Sequence, residues 1–107
     1  MFTQLVAIGI NHDSASVDVR ERVAFAPESI PAALSGALTR APIDEVVILS
    51  TCNRTEVYGL VSGEHEASAA GDALVAWIGE HHGVCLDDLS TCTYRHHGRQ
   101  ALVHLVQ

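Results

Sequence analysis

The residues best suited to covalent chemistry lie in the polar run 50–56, which carries a thiol at Cys52 and a guanidinium at Arg54. The segments on either side, 46–49 and 57–61, are rich in β-branched residues. This pattern predicts two strands joined by a hairpin connection that displays Cys52. A free cysteine with a pKa of about 8.5 is only partly ionised at neutral pH, so a nearby cation such as Arg54 would assist a nucleophilic thiolate.

Three segments of the chain resemble the glutamyl-tRNA reductases, the enzymes that begin tetrapyrrole (5-aminolevulinate) synthesis from glutamate. Residues 50–58, Ser-Thr-Cys-Asn-Arg-Thr-Glu-Val-Tyr, resemble the nucleophile segment of that family. Residues 9–12 and 17–25 resemble its opening signature, and residues 94–105 resemble the stretch that leads to its second active-site residue. The resemblance covers essentially the whole chain in order. It departs at residues 13–16, where Asp-Ser-Ala-Ser replaces a sequence expected to be closer to Lys-Thr-Ala-Pro.

The resemblance implies a role for each polar residue of the nucleophile segment. Cys52 would attack the ester of glutamyl-tRNA and form a thioester at carbon 1 of glutamate, and hydride transfer would then give glutamate-1-semialdehyde. Arg54 would bind the substrate carboxylate, which a guanidinium fork matches bidentately. Thr51 and Asn53 would orient the loop or hydrogen-bond the substrate. Without the resemblance, Arg54 is equally well interpreted as a solvated cation or as a partner for Glu56, which is expected to be structural.

His104 is the second catalytic candidate. It lies in Ala-Leu-Val-His-Leu, and the resemblance implies that it matches a histidine near the cysteine that polarises the carbonyl or relays a proton. From its sequence context alone, a helix histidine is more often packed or exposed than catalytic. His81 and His82 need no catalytic account, because an imidazolium is favoured at the end of the helix predicted for them.

Composition restricts the classes of partner. The chain has 107 residues, 48% of them hydrophobic, which is enough for one domain with a core. The net charge of -7 argues against binding a long run of phosphate backbone, which needs clustered basic residues. We find no transmembrane span or secretory signal, and the odd set of three cysteines fits a reducing compartment, so we expect a cytoplasmic location.

A metal site is the main competing interpretation of the remaining cysteines and histidines. Cys85, Cys92, His96 and His97 could be combined into a zinc site, but their spacing matches no compact zinc pattern. We therefore expect no metal ligands. A non-catalytic ferredoxin-like module that binds a small ligand, a metal or a protein is the alternative function.

The hydrophobic pattern predicts an α+β fold. Strands are expected at residues 5–10, 46–49, 57–61 and 91–96, with a break at 62–64. Helices are expected from about residue 27 to 41, where Ala41-Pro42 ends the first, and from 67 to 83, where Gly83 caps the second. A turn is expected at 87–90 and a last helix from Gly98. This order is that of the ferredoxin-like split βαβ fold, a four-stranded antiparallel sheet with helices packed on one face.

The resemblance also implies what lies outside this chain. Residues 1–107 would be the N-terminal catalytic domain, followed in the family by an NADPH-binding domain and a dimerisation domain. The chain contains no Gly-x-Gly-x-x-Gly sequence, so we expect no cofactor-binding residues here and assign NADPH to the longer enzyme. The implied partners are glutamyl-tRNA as substrate, a second subunit of a homodimer and the downstream aminomutase, with no membrane.

Overall fold

The computed structural model describes residues 3–62 and 66–106, which form four strands, five α-helices and one 3₁₀ turn. The elements in chain order are β1 (Thr3–Asn11), α1 (Val17–Arg22), the 3₁₀ turn (Pro27–Ser29), α2 (Ile30–Arg40), β2 (Glu45–Ser50), β3 (Arg54–Ser62), α3 (Ala67–His82), α4 (Leu86–Ser90), β4 (Tyr94–His97) and α5 (Arg99–Leu105).

The strands form one antiparallel sheet in the order β2-β3-β1-β4. The central strands are β3 and β1, and the edge strands are β2 and β4, which is the strand order of a split βαβ fold. The predicted α+β class and the four-stranded antiparallel sheet are confirmed. This order brings Gly9 of β1 opposite both Glu56 of β3 and Tyr94 of β4, which is the pairing that builds the site.

The main core lies between one face of the sheet and the helices α2 and α3. Alternate residues of β1 point into it, because side chains one apart on a strand face opposite sides. Val6, Ile8 and Ile10 are almost completely buried there. The helices contribute small residues from α2 and larger ones from α3, among them Ala33, Ala37, Leu74 and Ile78.

The helix boundaries follow the expected signals. Helix α2 ends at Arg40, where Ala41 becomes extended ahead of a proline. Helix α3 ends with Gly83 in the left-handed conformation at φ 68, as the sequence predicts. Arg40 and Glu80 tie the exposed ends of the two helices together with an N–O distance of 2.9 Å.

Helix α5 packs on the opposite face of the sheet from α2 and α3. Ala101 is completely buried there against Ala7 and Tyr58. The two helices inside the split βαβ unit thus share one face, as expected, while α5 covers part of the other. Because α5 lies over β1 and β4, it brings His104 onto the face that carries Glu56 and Tyr94.

Several boundaries differ from the predicted ones. Residues 17–22, expected as part of a polar segment, form α1, whose first turn is capped by the Ser16 side chain. The expected turn at 87–90 is part of α4, and the last strand begins at Tyr94 instead of residue 91. Strand β3 begins at Arg54, before the apolar run, so Arg54 and Glu56 are strand residues. Of the predicted break at 62–64, residue 62 ends β3, and residues 63 and 64 lie outside the described residues.

Within residues 3–62 and 66–106, none of the helices combines the length and apolar character that crossing a lipid bilayer demands.

Candidate active site

Cys52 is exposed in the short loop between β2 and β3, residues 51–53, which we call the Cys52 loop. Thr51 organises this loop, because its Oγ1 accepts hydrogen bonds from the amides of Asn53 and Arg54 at 3.2 Å each. Its own amide donates to the Arg54 carbonyl at 2.8 Å. The thiol is therefore presented on a tight turn held by the Thr51 hydroxyl and by backbone groups.

The start of the loop is anchored to the rest of the domain through Ser50. Its Oγ accepts a hydrogen bond of 2.9 Å from the amide of Phe25, the residue that stacks on Trp77 with ring centroids 5.7 Å apart. The loop is thereby fixed to the core side of the sheet, while Cys52 and Asn53 face solvent. A displayed nucleophile on a rigid scaffold is the usual way in which proteins mount covalent chemistry.

The most unusual group of the domain is Glu56, a carboxylate whose side chain is 1% exposed. Its oxygens interact with four donors. Tyr58 donates to Oε1 at 2.9 Å, Tyr94 donates to Oε2 at 2.5 Å, and Nε2 of His104 bonds to the same Oε2. Nε of Arg54 lies 3.7 Å from Oε1. We call these five residues the Glu56 cluster.

The Glu56 cluster depends on the absence of a side chain at Gly9. A Cβ there would lie 2.8 Å from Cγ of Glu56, 2.8 Å from the Thr55 carbonyl oxygen and 3.0 Å from the Tyr94 hydroxyl. The first two distances are shorter than real Cβ contacts show, and the third is tighter than most of them. Gly9 thus opens the space through which the Tyr94 hydroxyl reaches across β1 to the carboxylate.

Hydrogen bonding keeps Glu56 ionised despite its burial. Burial alone would raise the pKa of the Glu56 carboxyl, but hydrogen bonds from Tyr94, His104 and Tyr58, with the charge of His104, hold that pKa below its ordinary value. The same contacts act in reverse on the tyrosines: burial, and then the adjacent carboxylate, raises the pKa of both Tyr58 and Tyr94. Glu56 is therefore an anion, and both phenols are donors.

Glu56 orients the imidazole of His104. The bond to an ionised carboxylate places a proton on Nε2, which leaves Nδ1 as the acceptor when the ring is neutral. The ring also packs beside His96, with centroids 4.5 Å apart, and beside Tyr94 at 5.4 Å. His104 is held in one orientation with 19% of its side chain exposed, as a group that exchanges protons with a ligand would need.

Arg54 pairs with Glu56, which is one of the interpretations given above, and its side chain remains accessible. Its side chain is 37% exposed and pairs with Glu56 through Nε. Among the described residues its terminal nitrogens form no hydrogen bond, so the fork that would bind a carboxylate is uncommitted. The structure brings Arg54 and His104 together on one carboxylate.

Cys52 and His104 line different cavities. Cys52 lines one of about 250 Å³ against α1, whereas His104 lines one of about 620 Å³ with residues of β4 and α5. The two cavities share no residue. Of the five predicted site residues, Thr51, Cys52 and Asn53 form the loop, and Arg54 and His104 belong to the Glu56 cluster. The link between the two groups is the start of β3.

Some of the residues expected to be inert, or not singled out, have clear roles in this geometry. Glu56, expected to be structural, is the hub of the cluster, and Gly9 and Tyr94 complete it. The signal that could have identified Glu56 is an acidic residue at a strand position whose side chain is buried, because a buried carboxylate needs hydrogen-bond donors. Cys85 and Cys92 are separate from both groups, and burial raises the pKa of Cys92.

The described residues offer little for a metal or a dinucleotide. Within residues 3–62 and 66–106, no group of three or more His, Cys, Asp or Glu side chains could hold a metal ion. The sheet is antiparallel throughout, and the crevice at the carboxyl ends of parallel strands that holds a dinucleotide is not part of this architecture. Residues 3–62 and 66–106 therefore do not form the parallel-strand crevice in which Rossmann-type domains hold a dinucleotide such as NADPH.

Comparisons with known proteins indicate the family of this chain. Residues 8–107 match the family model described as "Glutamyl-tRNAGlu reductase, N-terminal domain". A glutamyl-tRNA reductase of Shewanella denitrificans is 45% identical over 103 residues, covering 96% of this chain and 23% of the relative. One from Nitrosococcus oceani is 43% identical over 105 residues, covering 97% of this chain and 24% of the relative.

A solved structure shares the fold. Glutamyl-tRNA reductase from Methanopyrus kandleri superposes with a TM-score of 0.61 at 24% identity, covering 94% of this chain and 21% of that chain. At this identity the likeness concerns the fold alone. The family model and the two relatives, which this chain matches along nearly its whole length, show that it belongs to the glutamyl-tRNA reductase N-terminal domain family.

Proposed function

We propose that this chain is the N-terminal catalytic domain of an NADPH-dependent glutamyl-tRNA reductase and carries out acyl transfer from glutamyl-tRNA to Cys52. The chain spans 23% of the length of its Shewanella denitrificans relative, so the whole activity belongs to a longer protein. The observation that carries the proposal is the displayed thiol of Cys52, held on a rigid turn within a chain of this family.

The proposed step begins with attack of the Cys52 thiolate on carbon 1 of the glutamyl ester. A sulfur–carbon bond forms, the carbon–oxygen bond to the tRNA ribose breaks, and the ribose oxygen leaves with a proton. The products are a thioester on Cys52 and deacylated tRNA. Thr51 and Asn53 maintain the turn that presents the thiol.

Arg54 and His104 would act on the substrate from the Glu56 cluster. The uncommitted fork of Arg54 matches the glutamate side-chain carboxylate. His104 would polarise the carbonyl or transfer a proton, with Glu56 fixing its orientation. Since the two cavities share no residue, this cooperation requires the substrate to extend from the loop along the start of β3.

Reduction of the thioester to glutamate-1-semialdehyde needs NADPH, and the part of the chain that the structure describes forms no dinucleotide crevice. We assign that half of the reaction, and the homodimer interface, to the rest of the longer protein. The setting would be the cytoplasmic synthesis of tetrapyrroles, with the downstream aminomutase as the partner that takes the product.

Trapping of the thioester tests the function. Glutamyl-tRNA with labelled glutamate is mixed with the longer protein without NADPH, quenched in acid and examined for label on the peptide that contains Cys52. We expect label that hydroxylamine releases and that Cys52→Ser lacks, whereas Cys85→Ser retains it. Label that persists in Cys52→Ser would show that Cys52 is not the acyl carrier.

A further inference from the structure

The cavity beside Cys52 is lined by a cation, Arg20, that has no role in the acyl-transfer step proposed above. The loop and α1 enclose about 250 Å³, and the lining residues are Val17, Arg20, Glu21, Ala24, Thr51 and Cys52. The cavity thus joins the thiol to one guanidinium and one carboxylate of a neighbouring helix. Its shape and charge decide which part of a substrate can lie next to the sulfur.

Arg20 differs from the paired arginines of the domain. Three of the six arginines form ion pairs, Arg40 with Glu80, Arg54 with Glu56 and Arg95 with Asp72. Arg20 forms none within residues 3–62 and 66–106, and its Nε is buried without a hydrogen-bond acceptor there. The side chain as a whole is only partly buried, so an anion can reach the guanidinium through the cavity. Because a buried donor without an acceptor is costly, this group favours binding an anion.

We propose that Arg20 binds the phosphate of the nucleotide whose ribose carries the glutamyl ester, and so positions that ester against Cys52. This inference rests on the proposed acyl transfer. The 5′-phosphate and the acylated hydroxyl belong to one ribose, so a phosphate held in the Cys52 cavity keeps the ester within reach of the sulfur. A guanidinium is the side chain that best matches phosphate geometry.

The acidity of the domain limits this contact to a local one. A net charge of -7 opposes a long phosphate track, and Glu21 in the same cavity opposes a second anion. Arg20 therefore binds a single phosphate beside the reacting ester. It is a positioning residue, because the bonds that form and break involve the Cys52 sulfur, the acyl carbon and the ribose oxygen.

A charge-selective alkylation tests the cavity without tRNA. Cys52 of the 107-residue chain is labelled with iodoacetate, an anion, or iodoacetamide, which is neutral, and the rates are resolved by peptide mass spectrometry with exposed Cys85 as internal reference. We expect Arg20→Gln to lower the iodoacetate to iodoacetamide rate ratio at Cys52 roughly threefold, and Glu21→Gln to raise it. Arg22→Gln is the matched control, on the same helix but outside the cavity lining. Equal effects of Arg20→Gln and Arg22→Gln would overturn the assignment.

A pair of small substrates then tests the phosphate itself. Single-turnover thioester formation by the longer protein is compared for 2′(3′)-O-glutamyl-adenosine with and without a 5′-phosphate. We expect Arg20→Gln to slow the phosphorylated substrate about tenfold more than the unphosphorylated one, the effect of losing one charge-assisted hydrogen bond. Arg20→Lys should restore part of the rate.

The outcomes separate the two proposals. Equal slowing of both substrates by Arg20→Gln would overturn phosphate binding while leaving acyl transfer to Cys52 intact. Absence of any thioester in the unmodified protein, with either substrate and with glutamyl-tRNA, would overturn the acyl transfer and the phosphate role together.

Discussion

The Cys52 loop and the Glu56 cluster meet at the start of β3, where Cys52 and Glu56 are four residues apart in the sequence, yet they are built in opposite ways. The loop displays its thiol to solvent and is held by the Thr51 hydroxyl and by backbone groups. The cluster buries a carboxylate and surrounds it with four donors from β3, β4 and α5. The thiol proposed to react is accessible to solvent, whereas the carboxylate that orients its neighbours has all its contacts with protein donors.

The largest effect should come from removing the thiol. Cys52→Ser should abolish thioester formation, with a loss of at least about a thousandfold, because a hydroxyl is not ionised at neutral pH. The unfolding free energy should stay within about 0.5 kcal/mol of the unmodified chain, since the side chain is exposed. Urea denaturation and the acyl-trapping assay measure the two quantities. A large loss of stability would mean that the loop, like the cluster, is structural.

The Glu56 cluster should respond in the opposite way, with a large loss of stability. Glu56→Ala removes the acceptor of a buried phenol, a half-buried phenol and the imidazole, so we expect about 3 kcal/mol of destabilisation by urea denaturation at pH 7. Glu56→Gln keeps the shape and should cost about half as much. Glu80→Gln is the matched control, since it removes an exposed carboxylate paired with Arg40 and should have little effect.

The same substitution has a readout that distinguishes orientation of His104 from packing. If Glu56 fixes the protonated Nε2 of His104, Glu56→Gln should shift the pH profile of thioester formation, whereas a purely structural role would lower the rate equally at every pH. Measuring the profile in the longer protein below its unfolding midpoint keeps the two effects apart. A uniform reduction across pH would assign Glu56 to stability alone.

Gly9 gives a smaller and sharper test of how the cluster is assembled. Gly9→Ala places a Cβ 2.8 Å from the Thr55 carbonyl oxygen and from Cγ of Glu56, so it should cost roughly 2 kcal/mol and displace the Tyr94 hydroxyl. Gly83→Ala is the contrasting variant. It meets open space but has a φ of 68, so we expect about 1 kcal/mol from backbone strain alone. Only Gly9→Ala should change the ultraviolet difference spectrum of Tyr58 and Tyr94.

The sequence predicted the frame of this domain much better than the site it supports. The strands and the two long helices were predictable because their apolar residues repeat at regular intervals over many positions. Helices α1 and α4 have only 6 and 5 residues, and tertiary packing stabilises such short helices more than periodicity does.

The Glu56 cluster was hidden for a different reason. Tyr94 and His104 lie 38 and 48 residues from Glu56 along the chain, and they meet it only through the strand order and the packing of α5. No local pattern records such contacts. The Cys52 loop, by contrast, is built from consecutive residues, so the motif that suggested its chemistry also contained nearly all of its geometry.

The smallest predicted effect concerns acid stability at His82, outside both regions. Burial, and then the charge of His81, lowers the pKa of His82 to about 4 from 6.5, and its buried Nε2 has no partner within the described residues. The unfolded chain therefore binds more protons between those two values, so His82 makes stability fall as the pH drops from about 6.5 toward 4. The depressed pKa of Glu56 acts in a lower window, below its unfolded value of about 4.5.

The two windows can be separated with two variants. His82→Leu should reduce by roughly 1 kcal/mol the loss of unfolding free energy between pH 7 and pH 4.5, with allowance for partial exposure of the ring. Exposed His97→Leu should leave that loss unchanged. Glu56→Gln should retain the loss above pH 4.5 and flatten the curve below it, because stability from a depressed carboxyl pKa disappears only as that carboxyl is protonated. If Glu56→Gln instead removed the loss of unfolding free energy between pH 7 and pH 4.5, the Glu56 cluster and not His82 would cause that acid sensitivity. The Glu56 cluster would then differ from the Cys52 loop in its pH dependence as well as in its burial.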